Sequence, residues 1–239
     1  MIVKICVRLS QRVTRSIPST PADSEVFYDI TIKNYMSKEW KENSKSVSTM
    51  LGMSTRWTPE QRAAGDYYTT DPEAVHAICR RMFDETLHTT VWEPACGCGN
   101  ISKVLEQYGC EVISTDLYDR GYGTPGIDFL QTTKVPDGCR RIVTNPPYSL
   151  SDQFILHAMD ILPDGGEYIA LLNLSYLAGK SRFKEIYNKG YLWEVYVFSG
   201  RINCYKNNEP TGHSSPVNYG WFIFKKSPDL HLIPRIYWL

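Results

Sequence analysis

Short apolar segments alternate with segments of helical periodicity along most of the 239-residue chain, and this alternation restricts the possible fold more than any other feature. The first predicted strand begins at residue 90 and runs into a turn at 94–99. Further strands are predicted over 110–115, 126–130, 141–144, 168–174, 192–198 and 219–225. Helices are predicted over 72–87, 101–108, 152–162 and 179–188. This order is typical of a mostly parallel, seven-stranded α/β sheet with helices on both faces. Because no helix separates the last two strands, we expect an antiparallel strand at the edge.

The pattern divides the chain near residue 56. Residues 1–56 are rich in Ser, Thr, Pro and Lys and have no sustained periodicity, so we expect a loosely structured or disordered extension there. Residues 57–239 contain the predicted strands and helices and should form the folded domain.

Composition restricts the possible partners and location. The formal net charge is +0, so there is no general basic field for non-specific DNA binding, and a nucleic-acid surface must be local. Cys96-Gly97-Cys98 has no second Cys or His pair at ligand spacing, so no metal site is predicted, and the scattered cysteines suit reduced thiols. No apolar run approaches the ~18 residues of a membrane span. We therefore expect a cytoplasmic protein.

The apolar run 141–144 stops at the four residues Asn145-Pro146-Pro147-Tyr148. Proline has no N–H to donate and restricts the residue before it, so these residues predict a rigid turn after a buried strand. In an open α/β sheet, ligands bind at the carboxyl ends of the strands. Asn145 and the prolyl carbonyls can accept hydrogen bonds from a planar amine, and Tyr148 offers a stacking face. The turn is therefore a candidate site for methylation of an exocyclic amino group.

A glycine-rich turn, Glu93-Pro94-Ala95-Cys96-Gly97-Cys98-Gly99, follows the first predicted strand of the sheet. Glycine lets the backbone approach a ligand closely, and the following helix offers free N–H groups. A dinucleotide site would need a third glycine where Ser102 stands, which disfavours pyrophosphate as the ligand.

Two acidic residues end the next two predicted strands. Asp116, about 20 residues after the glycine turn, is placed to accept hydrogen bonds from a ribose diol. Asp128 can receive an adenine amino group while the ring of Phe129 stacks on the base. A ribose and adenine site without phosphate features, followed by an amine-binding turn, indicates S-adenosylmethionine as the nucleoside ligand.

In these motifs the chain resembles class I S-adenosylmethionine-dependent methyltransferases that act on the N6 of adenine in DNA, in particular the small enzymes encoded by phages and prophages. The resemblance is carried by the glycine-rich turn 93–99, Asp116-Leu117, Asp128-Phe129, the turn 145–148 and a segment before the sheet, Tyr67-Tyr68-Thr69-Thr70-Asp71-Pro72. It covers about residues 57–226. The turn 145–148 alone also resembles that of enzymes that methylate glutamine or guanine N2, and the Glu-Pro-Ala-Cys form of the first motif favours adenine.

The resemblance implies a Rossmann-like fold and a role for each motif. For the cofactor, it implies that Tyr68, Thr69 and Thr70 cover the methionine end, that Glu93, Pro94, Ala95, Cys96, Gly97 and Gly99 hold the methionine moiety, that Asp116 beside Leu117 binds the ribose, and that Asp128 and Phe129 bind the adenine. For the substrate, Asn145 and the Pro146 carbonyl accept hydrogen bonds from the target amine within the rigid turn that Pro147 completes. Tyr148 then stacks on a base swung out of the duplex.

We expect DNA contacts to come from loops, because the sequence after Tyr148 predicts only the rest of the sheet and not the separate recognition domain of larger restriction-linked enzymes. Basic residues that follow strands on the expected ligand side are the candidates: Lys180, Arg182, Lys184, Arg201 and Lys206.

Two other functions remain open at this point. The same turn would serve methylation of a protein glutamine or of an RNA base. A methyltransferase-like module without activity could instead bind nucleic acid or a partner, although the intact Asn145, Tyr148 and Asp116 argue against such decay. The oligomeric state also stays open.

Overall fold

The computed structural model describes residues 68–82, 89–200, 202, 204–206, 217–227 and 233–239. All of these residues belong to one compact unit, Trp57–Leu239. The predicted extension, residues 1–56, lies outside the described residues, as do positions 83–87 of the first predicted helix.

Seven strands form one mixed sheet, which confirms the predicted α/β fold. They are β2 (Thr90–Glu93), β3 (Glu111–Ser114), β4 (Arg141–Thr144), β5 (Glu167–Asn173), β6 (Leu192–Val197), β8 (Tyr219–Lys225) and β9 (Arg235–Trp238). Their order across the sheet is β3-β2-β4-β5-β8-β6-β9. Only β8 runs antiparallel to its neighbours, and the remaining pairs within this sheet are parallel.

The antiparallel strand lies inside the sheet, so its predicted place at the edge is wrong. β8 pairs with β5 on one side and β6 on the other. Six of its seven residues are buried, which suits a central strand covered on both faces. The strand at this end of the sheet is β9, which was not predicted and pairs in parallel with β6.

The strand predicted over residues 126–130 is also wrong. Asp128 accepts a hydrogen bond from the N–H of Leu130 at 3.0 Å and caps a short 3₁₀ helix, Phe129–Gln131. This local bond turns the backbone away from an extended path. In place of that segment, β9 supplies the seventh strand.

Helices cover both faces of the sheet. On one face, α1 (Pro72–Met82) and α2 (Asn100–Gln107) contribute buried side chains to the same apolar cluster as Val143 and Trp221. On the other face, α3 (Ser151–Ile161) packs against Ile142 and Phe222. The last predicted helix is shorter than expected: α4 (Lys180–Glu185) ends before a 3₁₀ turn at Tyr187–Lys189.

The sheet brings three turns together at one edge. β3, β2 and β4 are parallel neighbours, so the segments that follow them all leave the sheet at its carboxyl end. A separate two-stranded sheet pairs β1 (Tyr68–Thr70) with β7 (Cys204–Lys206) in antiparallel register. Thr69 and Thr70 of β1 line the same cavity as the three turns.

Candidate active site

A cavity of about 400 Å³ lies at the carboxyl ends of β2, β3 and β4. Most of the predicted site residues line it: Thr69, Thr70, Glu93, Pro94, Ala95, Cys96, Gly97, Asp116, Leu117, Asp128, Asn145, Pro146, Pro147 and Tyr148. The side chain of Tyr68 lies outside the described part, although its backbone belongs to β1. Most of the predicted cofactor residues and the predicted catalytic turn therefore share one cavity.

The glycine turn is fixed by contacts with the end of β3. The N–H of Gly97 donates to Oδ2 of Asp116 at 2.8 Å, and the N–H of Cys96 donates to the carbonyl of Thr115 at 3.0 Å. Gly99 does not line the cavity. Its φ is 80°, and a β-carbon there would lie 2.3 Å from the ring of Tyr122. This position therefore requires glycine for packing.

Glu93 is the most deeply buried carboxylate in the described chain that faces the cavity, with 1% of its surface exposed. Its Oε2 accepts the backbone N–H of Ser102 at 2.9 Å and the hydroxyl of the same residue. Burial disfavours the charged form more than these bonds support it, and it raises the pKa of Glu93 to about 8. Glu93 therefore holds a proton at neutral pH.

Asp116 is held by two backbone donors. Besides the N–H of Gly97, the N–H of Tyr118 donates to Oδ1 at 2.8 Å. Only 7% of the Asp116 surface is exposed. Each carboxylate oxygen has a second lone pair, so a fixed Asp116 can still accept hydrogen bonds from a ligand.

Phe129 does not face the cavity, so the predicted stacking of a ligand adenine on its ring is wrong. The ring packs in the core, with its centroid 5.2 Å from Trp92 and 4.8 Å from Phe154. Once Asp128 caps the 3₁₀ helix, the next side chain points inward. Leu130 lines the cavity instead.

The turn after β4 connects to both walls of the cavity. Nδ2 of Asn145 donates to Oγ1 of Thr70 at 3.1 Å. The ring of Tyr148 stacks on Tyr219 at 6.0 Å with 30° between the planes. The Pro147 carbonyl accepts the N–H of Leu150 at 2.9 Å, which closes the turn. An amide, prolyl carbonyls and a supported aromatic ring therefore lie side by side.

Carboxyl groups outnumber cationic groups among the described residues that line the cavity. Among the described residues that line it, the ionisable carboxyl groups are those of Glu93, Asp116 and Asp128, and Arg120 supplies the guanidinium. Phosphate-binding sites normally combine several cations with backbone N–H groups. This composition suits a hydroxyl- and amine-bearing or cationic ligand better than a pyrophosphate.

The predicted nucleic-acid contacts are only partly described. Lys180 is exposed at the start of α4. Arg182 instead contacts its own chain: Nε lies 3.1 Å from Asp152, and the guanidinium stacks 4.0 Å above the ring of Tyr176. Arg201 lies outside the described residues, as does the side chain of Lys206. Lys184 is exposed and pairs with Glu185 at 3.2 Å.

Two residues of the site were not assigned a role from the sequence. Asn100 lines the cavity, and its Nδ2 donates to the backbone carbonyl of Thr70 at 2.9 Å. Tyr219 supports Tyr148 from β8. A polar residue directly after the glycine turn was a usable signal for Asn100. Tyr219 belongs to a segment, 219–222, that shares the resemblance to methyltransferases, but the sequence did not indicate its contact with Tyr148.

None of the helices in the described segments is long and apolar enough to cross a membrane.

The chain matches no protein-family model and no curated protein in sequence. Solved structures do match its fold. A type I restriction-modification methyltransferase subunit from Streptococcus thermophilus is 17% identical with a TM-score of 0.52, and the match covers 68% of this chain and 45% of that one. A Listeria monocytogenes protein assigned as a class I S-adenosylmethionine-dependent methyltransferase is 15% identical, with a TM-score of 0.50 and coverage of 72% and 65%.

A third match is a Pyrococcus horikoshii protein assigned as an RNA methyltransferase. It is 15% identical with a TM-score of 0.51, and the match covers 69% of this chain and 89% of that one. The chain thus spans less than two thirds of the length of the first two structures. At these identities the comparisons show the fold: the described chain has the Rossmann-like fold of class I methyltransferases.

Proposed function

We propose that this chain transfers a methyl group from S-adenosylmethionine to the N6 amino group of adenine in DNA. The observation that carries the proposal is the shared cavity. Asn145 and Tyr148 line the same space of about 400 Å³ as Glu93, Gly97 and Asp116. A methyl donor and its acceptor amine must meet within one water-poor space, and this cavity joins a nucleoside-type site to an amine-type site.

The residues on the cofactor side fit S-adenosylmethionine. Asp116 is anchored by two N–H donors and keeps lone pairs for ribose hydroxyls. Asp128 lines the cavity and offers an acceptor for an adenine amino group, and Asp116 and Asp128 outnumber the guanidinium of Arg120 in the described lining, which suits a cationic ligand. When bound, S-adenosylmethionine supplies an electrophilic methyl group on a sulfonium.

The residues on the substrate side orient the amine and stabilise its developing charge. The amine nitrogen becomes positive as it takes the methyl group from the sulfonium, which leaves as a neutral thioether, and the nitrogen then releases a proton to water. The Asn145 amide oxygen and the Pro146 carbonyl accept its hydrogens, which turns the nitrogen lone pair out of conjugation with the ring. Fixed acceptors of this kind need no reorganisation during the reaction, so catalysis comes from positioning and electrostatics.

The target base must leave the duplex to reach the cavity, at a cost of a few kcal/mol for unstacking. The flipped base can stack on one face of the Tyr148 ring, and Tyr219 stacks against that same tyrosine ring. Lys180, which is exposed, is a candidate for contact with a DNA phosphate. Arg182 is a weaker one, since Asp152 and Tyr176 already hold its guanidinium.

Labelled methyl transfer tests the proposal. The full chain is incubated with labelled S-adenosylmethionine and, in separate reactions, with unmethylated DNA, RNA or protein. Each polymer is then digested and analysed by mass spectrometry. We expect N6-methyl-2′-deoxyadenosine from DNA and no methylated product from RNA or protein. Label in protein glutamine or in RNA would show that the substrate is not DNA. The absence of cofactor binding by calorimetry would indicate a binding module without methyltransferase activity.

A further inference from the structure

Thr70 connects the wall of the cavity to the turn after β4. Its Oγ1 accepts a hydrogen bond from Nδ2 of Asn145 at 3.1 Å, although Thr70 belongs to the two-stranded sheet and Asn145 follows β4 of the seven-stranded sheet. Only 3% of the Thr70 surface is exposed. We propose that Thr70 is a positioning residue that orients the amide of Asn145 for the target amine. This inference rests on the proposed function and adds a residue that acts through Asn145.

The backbone of Thr70 is fixed from three directions. β1 pairs with β7, which places Thr70 opposite Cys204. The carbonyl of Thr70 accepts Nδ2 of Asn100 at 2.9 Å. Directly after it, Asp71 accepts the N–H of Glu73 at 3.0 Å and caps α1. Because this backbone is fixed, the Thr70 hydroxyl has a fixed position and restricts the orientation of the side chain that it contacts.

The orientation of the amide decides what the target amine meets. The oxygen and nitrogen of an asparagine amide have almost the same shape, and a half-turn about χ2 exchanges an acceptor for two donors. A target amine requires the amide oxygen as its acceptor, because the hydrogens of an amide NH₂ would point at the hydrogens of the amine. With Nδ2 bound to Thr70, the oxygen lies on the opposite side of the amide carbon.

This role differs from the cofactor contact that the sequence predicts for Thr70. A cofactor contact would change cofactor affinity when the hydroxyl is removed. A residue that orients Asn145 would change the turnover number and leave cofactor affinity unchanged. Thr70→Val removes the hydroxyl with little change in volume, and Thr70→Ser retains it, so the two variants form a matched pair.

Nuclear magnetic resonance of the full chain tests the orientation without any substrate. The Asn145 side-chain amide signals are assigned by their loss in Asn145→Asp. We expect T70V to speed hydrogen exchange of these protons by about tenfold, the equivalent of one neutral hydrogen bond, and T70S to leave it unchanged. The Asn100 amide is an internal control, because its acceptor is a backbone carbonyl that both variants keep. Equal exchange at Asn145 in T70V and wild type would overturn the proposal, as would equal acceleration at Asn100.

Kinetics provide the second test. T70V should lower kcat on DNA by about tenfold with cofactor affinity within about twofold of wild type, and T70S should restore the rate. In an Asn145→Asp background the same T70V change should cost only about twofold, because both oxygens of a carboxylate accept. An equal cost in both backgrounds, or a loss confined to cofactor affinity, would overturn the proposal. If wild type transfers no methyl group to DNA, the proposed function fails, and the amide exchange still tests Thr70.

Discussion

Ser102 donates both its backbone N–H and its hydroxyl to the same oxygen of Glu93, and its own Oγ lies 2.6 Å from Oγ of Ser114. Ser102 occupies the position where a dinucleotide fingerprint would have its third glycine. The side chain that replaces glycine therefore fixes the first acidic residue of the site.

The protonation of Glu93 predicts how stability depends on pH. Its pKa rises from 4.5 to about 8 on folding because burial disfavours the charge. The folded chain therefore keeps a proton that the unfolded chain releases, and the free energy of unfolding should fall as pH rises from about 4.5 to about 8. Glu93→Gln should remove this part of the pH dependence, on the order of a few kcal/mol. Urea unfolding at several pH values measures it.

Glu73→Gln is the matched control for that experiment, because Glu73 is an exposed carboxylate in the first turn of α1. It should retain the pH dependence of wild type. Curves of equal slope for wild type and E93Q would contradict the assignment of a proton to Glu93.

Removing the Asn145 amide should separate transfer from cofactor binding. Asn145→Ala takes away an acceptor that the proposed reaction needs only at the target amine, so transfer should fall by at least about a hundredfold. Calorimetric affinity for S-adenosylmethionine should stay within about twofold, since no loss of a cofactor contact is expected. Normal methylation by N145A would show that the turn does not act as proposed.

A substitution at Asp116 should weaken binding of the cofactor, which the substitution at Asn145 leaves unchanged. Asp116→Asn keeps the shape but removes the charge that two backbone N–H groups now support, so cofactor affinity should weaken by about tenfold or more. Asp137→Asn, at an exposed ion pair with Lys134, is the control and should bind normally. Equal affinities for wild type and D116N in a titration would remove Asp116 from the cofactor site.

The ring of Tyr219 should matter more than its hydroxyl. Tyr219→Leu removes the ring that stacks on Tyr148, and stacking of this kind contributes about 1 kcal/mol. We expect kcat/KM on DNA to fall by about fivefold for Y219L, while Y219F retains most of the rate. A similar loss for both variants would point to the hydroxyl instead.

Two glycines in the loop after Asp116 provide a pair that separates backbone strain from crowding. Gly121 and Gly123 both have positive φ values, of 80° and 69°. A β-carbon at Gly121 meets nothing within 4 Å, whereas at Gly123 it would lie 2.7 Å from the carbonyl oxygen of Ser114. Gly121→Ala should cost about 1 kcal/mol in unfolding free energy and Gly123→Ala several times more. Equal costs in urea unfolding would show that the loop moves away freely.

Local signals were enough to predict much of the site from the sequence. Asp116 and Asn145 each end a short apolar strand, and the carboxyl ends of parallel neighbours meet by geometry alone. The same reasoning failed at residues 126–130, where Ile127 and Phe129 have strand-like spacing. There the hydrogen bond from the N–H of Leu130 to Asp128 decided the local structure.

Long-range pairing could not be predicted in the same way. β1 and β7 have only three residues each, which is too short for a recognisable period. The antiparallel direction of β8 was predicted because the sequence indicates no helix between it and β6. Its interior position depends on its pairing with both β5 and β6, which no local pattern shows.

The interior position of β8 has a consequence for synthesis of the chain. β2, β3, β4 and β5 are complete once residue 173 has been made, but β5 then ends the sheet with an open, apolar edge. β6 has no place beside it until β8 arrives between them. A growing chain on the ribosome therefore exposes the unpaired edge of β5 until residue 225 has been made. During this time, β5 can form backbone hydrogen bonds with strands of other chains and aggregate.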